Sequence, residues 1–217
     1  MAVNTFVYSD AFESIRPEYY MILDPGMWLA NNETTQKTKA ELMAKTTWKM
    51  ILFIPFSARN SPFIKDLSKH DTIKIHFLNY VVFKGFKSLS HVFFRYNLAM
   101  PQAQNVLVAA LCTAINMDYK SIRLYGADHD WHKTLHVNEM NVLCIKQLHF
   151  YDQEKEVKYL PFYKGMHNQE TFRMDEIFTA WAKVFQGYHN IAAYAKKRGV
   201  KILNATPNSF VDAFERE

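Results

Sequence analysis

"PQAQNVLVAALCTAINMDYKSIRLYGAD", residues 101–128, decides the fold class. After Pro101 the small and apolar residues fall at Ala103, Val106, Leu107, Ala110, Leu111, Ala114 and Ile115. That spacing is the stripe of an amphipathic helix. Pro101 suits its first turn. "SIRLYG" (121–126) then reads as a strand, and Gly126 ends it.

The same helix-then-strand order recurs toward the carboxyl terminus. Ile177, Trp181, Val184, Tyr188, Ile191 and Ala195 mark the buried face of a long helix from about Met174. Asp175 and Glu176 open it, and Lys196, Lys197 and Arg198 close it, as the helix dipole favours. Gly199 is a stop signal. "VKILNAT" (200–206) reads as a strand, and Ser209 caps a final short helix, "SFVDAFERE".

Toward the amino terminus, "AVNTFVY" (2–8), "YYMILDP" (19–25), "WKMILFIPF" (48–56) and "DTIKIHFLN" (71–79) read as strands. Between them, a cap at Ser9 or Asp10 with Glu13 predicts a capping box that Pro17 soon terminates. "TTQKTKAELMAKT" predicts a polar helix and "SPFIKDLSK" a short one. "NVLCIKQLHFYD" (141–152) predicts an edge strand. Strands alternating with helices imply an α/β fold, with a mostly parallel sheet covered on both faces. No repeat or linker divides residues 1–217, so a single domain is expected.

Composition narrows the function. Hydrophobic residues are 49% and charged residues 22%, which excludes a disordered chain. Aromatics are 15%, enough to line a cleft. The net charge of +5 has no basic tract behind it, "AKKRG" (195–199) being the densest group. This argues against nucleic acid as partner. It suits a small phosphorylated substrate or transient contact with an anionic membrane. No signal peptide or membrane-span-length apolar run is present, so a cytoplasmic protein is expected, or one at the inner face of the inner membrane. Cys112 and Cys144 lie in apolar runs, as reduced buried thiols do. There is no Walker loop, GxGxxG or GxSxG, so ordinary ATPase, dinucleotide and serine-hydrolase readings lose support.

In open parallel sheets, ligands bind beyond the carboxyl ends of the strands. The candidates there are Asn4, Asp24, the loop carrying Gly126, Asp128, His129, Trp131 and His132, and the segment from Asn204 to Ser209. Asp24 before Pro25 is either a substrate-contacting carboxylate or a turn-former. His129, His132 and His136 form HxxHxxxH. Three readings stand open for it: a metal site, a polar loop, or a loop that holds a ligand. His167, before the long helix, is a solvated loop residue or a base. His189, within that helix, is packed or exposed rather than catalytic.

Four stretches together resemble one superfamily: "AVNTFVYSDAFESIRPEYYMILDP", residues 101–128, "NVLCIKQLHFYD" and "VKILNATPNSFVDAFER". The chain resembles bacterial sialyltransferases of the type that builds lipopolysaccharide and capsule. It is also similar to flagellar motility accessory factors, to hydroxymethylpterin pyrophosphokinases, and to proteins of polysaccharide gene clusters in Bacteroides-like bacteria. The resemblance implies a Rossmann-like fold and an inverting, metal-independent transfer from a CMP-sialic acid type of donor to a glycan acceptor, with no cofactor required. It implies that Asn4, Asp24, Gln104, Asn105, Gly126, Asp128, His129, Trp131, His132, Asn204 and Ser209 contact the substrate or nucleotide. Protonated His129 and His132 would hold the leaving phosphate, and His167 is the nearest equivalent of the family's catalytic base. The family's first strand and its "GNGPS" loop find no match here. The resemblance therefore leaves three possibilities: a start upstream, a fragment, or a degenerate copy. Two other functions compete. One is a pterin pyrophosphokinase-like phosphotransferase using ATP and magnesium held by carboxylates such as Asp24 and Asp128. The other is an inactive relative that binds a partner or a sugar. An oligomer is compatible with each.

Overall fold

The computed structural model describes residues 1–29, 32–146, 158–165 and 168–217. Four strands form a parallel sheet in the order β1 (Ala2–Val3), β2 (Tyr19–Met21), β3 (Met50–Pro55) and β4 (Ile73–Leu78). The connections carry α1 (Ala11–Ile15), α2 (Glu33–Lys45) and α3 (Pro62–Leu67). Caps fix where two of these begin. Asn32 accepts from Thr35 N at 2.8 Å, and Ser61 accepts from Ile64 N at 3.3 Å with Pro62 in the first turn.

The strict alternation of side chains along these strands builds two cores. Tyr20, Ile22, Leu52 and Ile54 pack with Phe12 of α1, Leu42 of α2 and Phe63 of α3. Met21, Leu23 and Phe53 point the other way, toward α4 (Lys87–Arg95), α5 (Val106–Asn116) and α6 (Met174–Arg198). Helices therefore cover both faces of this sheet, as alternating strands and helices predict.

The remaining strands do not join it. After α5 comes β5 (Ser121–Leu124), then a small antiparallel sheet of β6 (Leu135–Val137), β7 (Leu143–Lys146) and β8 (Tyr159–Pro161). An antiparallel pair follows, β9 (Tyr163–Gly165) and β10 (Asn168–Thr171). Beyond α6, β11 (Lys201–Asn204) pairs in parallel with both β5 and β12 (Glu215–Arg216). One face of this second parallel sheet supplies Leu124 and Ile202 to the α5 and α6 core. Its other face carries Arg123 and Lys201, paired with Glu217 at 2.6 Å and Glu215 at 3.2 Å. The single sheet expected from the sequence is thus two parallel sheets among the described residues, with β1 and β5 each at an edge.

Other expectations need correction. The strand of residues 2–8 stops at Val3, because Asn4 takes a left-handed φ of +50° and opens a 3-10 turn over Asn4–Tyr8. The predicted capping box does not form, since Asp10 stands at the cap without a side-chain bond. Ser9 Oγ accepts from Ala11 N at 3.2 Å, whereas Glu13 does not close it. Helix α5 starts at Val106 rather than near Pro101, since Asn105 Oδ1 accepts from Val108 N at 3.1 Å and caps it there. No helix forms after Ser209, whose hydroxyl is held by other groups, and the chain ends as β12. The described part of the 141–152 strand, β7, is central in its sheet rather than an edge, while residues 147–152 lie outside the described residues. Helix α4 was not foreseen at all. Both cysteines are buried free thiols, and burial pushes Cys112 up to about 12. No described helix is long and apolar enough to cross a membrane.

Gly187 has a specific task in the middle of α6. A β-carbon there would sit 2.8 Å from the carbonyl oxygen of Gln102 and 3.2 Å from Val108 Cγ2. Its absence lets α6 lie against the 102–105 segment. Gly187→Ala gains helix propensity of roughly 1 kcal/mol but forces a backbone displacement costing about 1–3 kcal/mol. The expected net result is a lower urea midpoint; a higher midpoint would show that the segment yields freely.

Candidate functional site

The carboxyl ends of the strands hold most of the expected residues, but in unequal roles. At the end of β1, the Oδ1 atom of Asn4 is buried and finds no hydrogen-bond partner among the described residues. Its carbonyl accepts from the Tyr20 hydroxyl. Beyond β2, Asp24 Oδ1 accepts from Gly26 N at 2.8 Å and opens a 3-10 turn over Pro25–Met27. Asp24 is therefore a turn-former here, with an exposed carboxylate.

Beyond β5 and β11 two loops are stitched together. Thr206 Oγ1 accepts from Ala127 N at 3.1 Å and donates to the Leu124 carbonyl at 3.2 Å. Ser209 Oγ donates to the Ala127 carbonyl, and Phe210 N donates to the Asp128 carbonyl at 2.8 Å. Asn204 Nδ2 donates to Ser209 Oγ at 3.0 Å, while its Oδ1 accepts from Thr206 N at 3.0 Å. Asn204 and Ser209 are buried, and these bonds use their polar groups internally. Their role is to shape the loop that carries Gly126, Asp128 and His129. That loop turns through two left-handed residues, Gly126 at φ +68° and His129 at φ +56°. For glycine the conformation is free, while for histidine it is uncommon.

The turn drives the His129 ring inward, where it is 8% exposed. Its Nε2 lies 2.7 Å from the Tyr188 hydroxyl and 3.0 Å from Asn105 Nδ2. The proton positions follow from the helix cap. Asn105 Oδ1 accepts from Val108 N, so Nδ2 must face the other way. Nδ2 can only donate, and it donates to Tyr188 Oη at 2.9 Å as well. The Tyr188 hydroxyl then gives its single proton to His129 Nε2. Nε2 is an acceptor, and the ring proton sits on Nδ1, which meets no partner among the described residues. Burial holds His129 down to about 4, with the nearby Asp128 charge opposing weakly. Burial likewise raises the Tyr188 hydroxyl well above the usual phenol range.

This state bears on the expected phosphate contact. Burial favours the neutral His129 ring in the unliganded protein, against the protonated form that a phosphate clamp needs. The neutral ring can offer one N–H, from Nδ1. An aromatic wall surrounds it. Trp131 stacks on the imidazole with centroids 4.2 Å apart, Trp181 lies 5.9 Å from Trp131, and Phe214 packs edge-on against Tyr188.

The HxxHxxxH histidines diverge. His132 is exposed and meets Phe210 edge-on at 4.6 Å, and His136, on β6, faces Tyr159 at 4.8 Å. Among the described residues, no group of three or more His, Cys, Asp or Glu side chains is placed to hold a metal ion. His189 is exposed and pairs with Asp212 at 3.3 Å. His167 lies outside the described residues.

A cavity of about 460 Å³ opens where Tyr80, Val82 and Lys84 face Gln102, Ala103 and Gln104. The Tyr80 hydroxyl bonds the Ala103 carbonyl and fixes one wall. The segment that lines this cavity runs on in sequence into Asn105 of the His129 network. A second hollow of about 680 Å³ lies at the opposite, amino ends of β2, β3 and β4, beside Glu18, Lys49 and Asp71.

Tyr188 and Trp181 belong to the apolar stripe that the sequence periodicity predicts for α6. Their ring burial produces that stripe. No sequence signal shows that the Tyr188 hydroxyl meets a histidine 59 positions away. Comparison of the chain with family models, curated proteins and solved structures gives no match.

Proposed function

We propose that the protein is a nucleotide-sugar-dependent glycosyltransferase with a Rossmann-like domain, of the inverting sialyltransferase type, serving surface polysaccharide synthesis. One observation carries this reading. The carboxyl end of a parallel strand presents a strained, buried histidine in an aromatic wall, and the segment leading into its partner Asn105 lines a polar cavity with Lys84, Gln102 and Gln104. Strand ends of this kind are where α/β folds bind nucleotides. Trp131 offers an apolar surface for a base or sugar. Lys84 and the His129 Nδ1–H suit a phosphate oxygen. His167 is the proposed base, because imidazole accepts a hydroxyl proton near neutrality.

The test is thermal stability with CMP, CDP, UDP, GDP and ATP, each with and without magnesium. CMP at a hundred times its Kd stabilises the fold by about 2.7 kcal/mol, and the response is expected to be independent of magnesium. Lys84→Ala should weaken it. A response confined to ATP with magnesium would replace this reading with a phosphotransferase using Asp24 and Asp128. A second reading has its own support: Asp24, Asn204 and Ser209 use polar atoms in internal bonds, which fits an inactive binding relative. No response to any nucleotide would favour it.

A further inference from the structure

Helix α4 leaves an apolar face uncovered. Ser90 and Phe94 turn inward, while Phe86, Leu89, Val92 and Tyr96 point outward, with Phe86 83% exposed. The spacing of these four places them on one side of the helix. The neighbouring segments extend the patch. Val81 accepts from Met100 N at 2.7 Å, and Asn79 Nδ2 donates to the Leu98 carbonyl at 2.9 Å, so exposed Val81 and Leu98 are held beside α4. A contiguous exposed apolar surface of this kind marks an interaction site.

The segment that carries it has charges of one sign. Between Asp71 and Asp118 the sequence contains no Asp or Glu, yet it has Lys74, Lys84, Lys87 and Arg95. Lys84 and Lys87 stand at the amino end of α4 and Arg95 in its last turn. Lys197, at the end of α6, is also near. After burial, its charge and that of Lys87 hold His91 below the ordinary histidine range.

We infer that α4 docks the protein on an anionic lipid surface, with Phe86, Leu89, Val92 and Tyr96 entering the interface and Lys84, Lys87 and Arg95 meeting the headgroups. An apolar helical face with cations on the polar side and at the helix ends is the pattern of interfacial helices. A protein partner with carboxylates would match the charges but would have to supply its own groove for this helix, whereas a bilayer interface takes up an apolar helical face without one. Docking would also bring the cavity near the bilayer, because Val82 and Lys84 line it.

The test needs no nucleotide, so its outcome is separable from the glycosyltransferase reading. The full chain is sedimented with vesicles of phosphatidylcholine alone or mixed with phosphatidylglycerol. Binding is expected only to the mixed vesicles and should fall as salt rises. Phe86→Ser with Leu89→Ser should abolish it without changing the melting temperature, since both side chains are exposed. Lys84→Glu with Lys87→Glu should weaken it at least tenfold, because each cation near such a surface contributes about a factor of five. Failure to bind mixed vesicles, or binding untouched by both variants, overturns the inference. So does a concentration-dependent dimer in sedimentation velocity that Phe86→Ser dissolves, since a second copy would then cover the patch.

Discussion

Acidification from neutrality to about pH 4 is expected to cost roughly 3 kcal/mol of stability through His129 alone. In the unfolded chain this histidine takes a proton near pH 6.5, whereas in the fold it stays neutral down to about 4. Between those values the unfolded state binds more protons, so stability rises with pH. The contribution is complete above the unfolded value, shrinks as pH falls through the window, and is gone below the folded value. Burial is the main reason the fold resists protonation. The Asn105 amide nitrogen beside Nε2 adds to it, since it has no lone pair to accept a proton. His129→Gln removes the titrating group, so its urea midpoint should be much flatter over this range. Asp66, Asp175 and Glu176, whose pKa values are lowered by Lys39, Arg173 and Lys164, act in both proteins and cancel in the difference. Parallel stability curves for the two proteins would mean that His129 is solvated and that the network does not hold.

The sequence reveals what periodicity and caps can encode. Helices α5 and α6 are legible because apolar residues recur at helical spacing, and Gly199 ends α6 in the left-handed conformation at φ +65°. The strands β3, β4, β5 and β11 are legible as short apolar runs bounded by polar residues. Helix α4 escapes notice although Leu89, Val92 and Phe93 recur at helical spacing, because it is only nine residues long and no side chain caps its start. The split into two parallel sheets depends on pairings between distant strands, which no local signal contains. The histidine motif shows the same limit. His129, His132 and His136 would share a face only on a continuous helix. Here a left-handed residue, a 3-10 turn over Trp131–Thr134 and strand β6 follow one another, and the three rings part. The Gly126 strand end is legible as a candidate, but the partners that set the state of His129 come from α6 and from the α5 cap.

Two substitutions at Asn105 should separate structure from electrostatics. Asn105→Ala removes the α5 cap, which costs about 1 kcal/mol, and strips a donor from the buried Tyr188 and His129, which costs about 1–3 kcal/mol more. A total near 3 kcal/mol is expected in urea unfolding. Asn105→Asp keeps the cap, and its negative charge suits a helix N-terminus. It replaces the amide donor with an oxygen 3.0 Å or so from Nε2. That oxygen accepts a proton from Nε2, so the His129 pKa should rise from about 4 past the ordinary histidine value. The imidazole resonances in an NMR titration report this directly. With Asp at this position the stabilising window moves. Protonated His129 then favours the fold at low pH, and that contribution is lost as pH rises through the new pKa. The pair predicts opposite signs from one position: Asn105→Ala lowers stability throughout, while Asn105→Asp lowers it chiefly at high pH. If Asn105→Asp leaves the histidine titration unchanged, the amide does not govern the ring, and neutral His129 owes its state to burial alone.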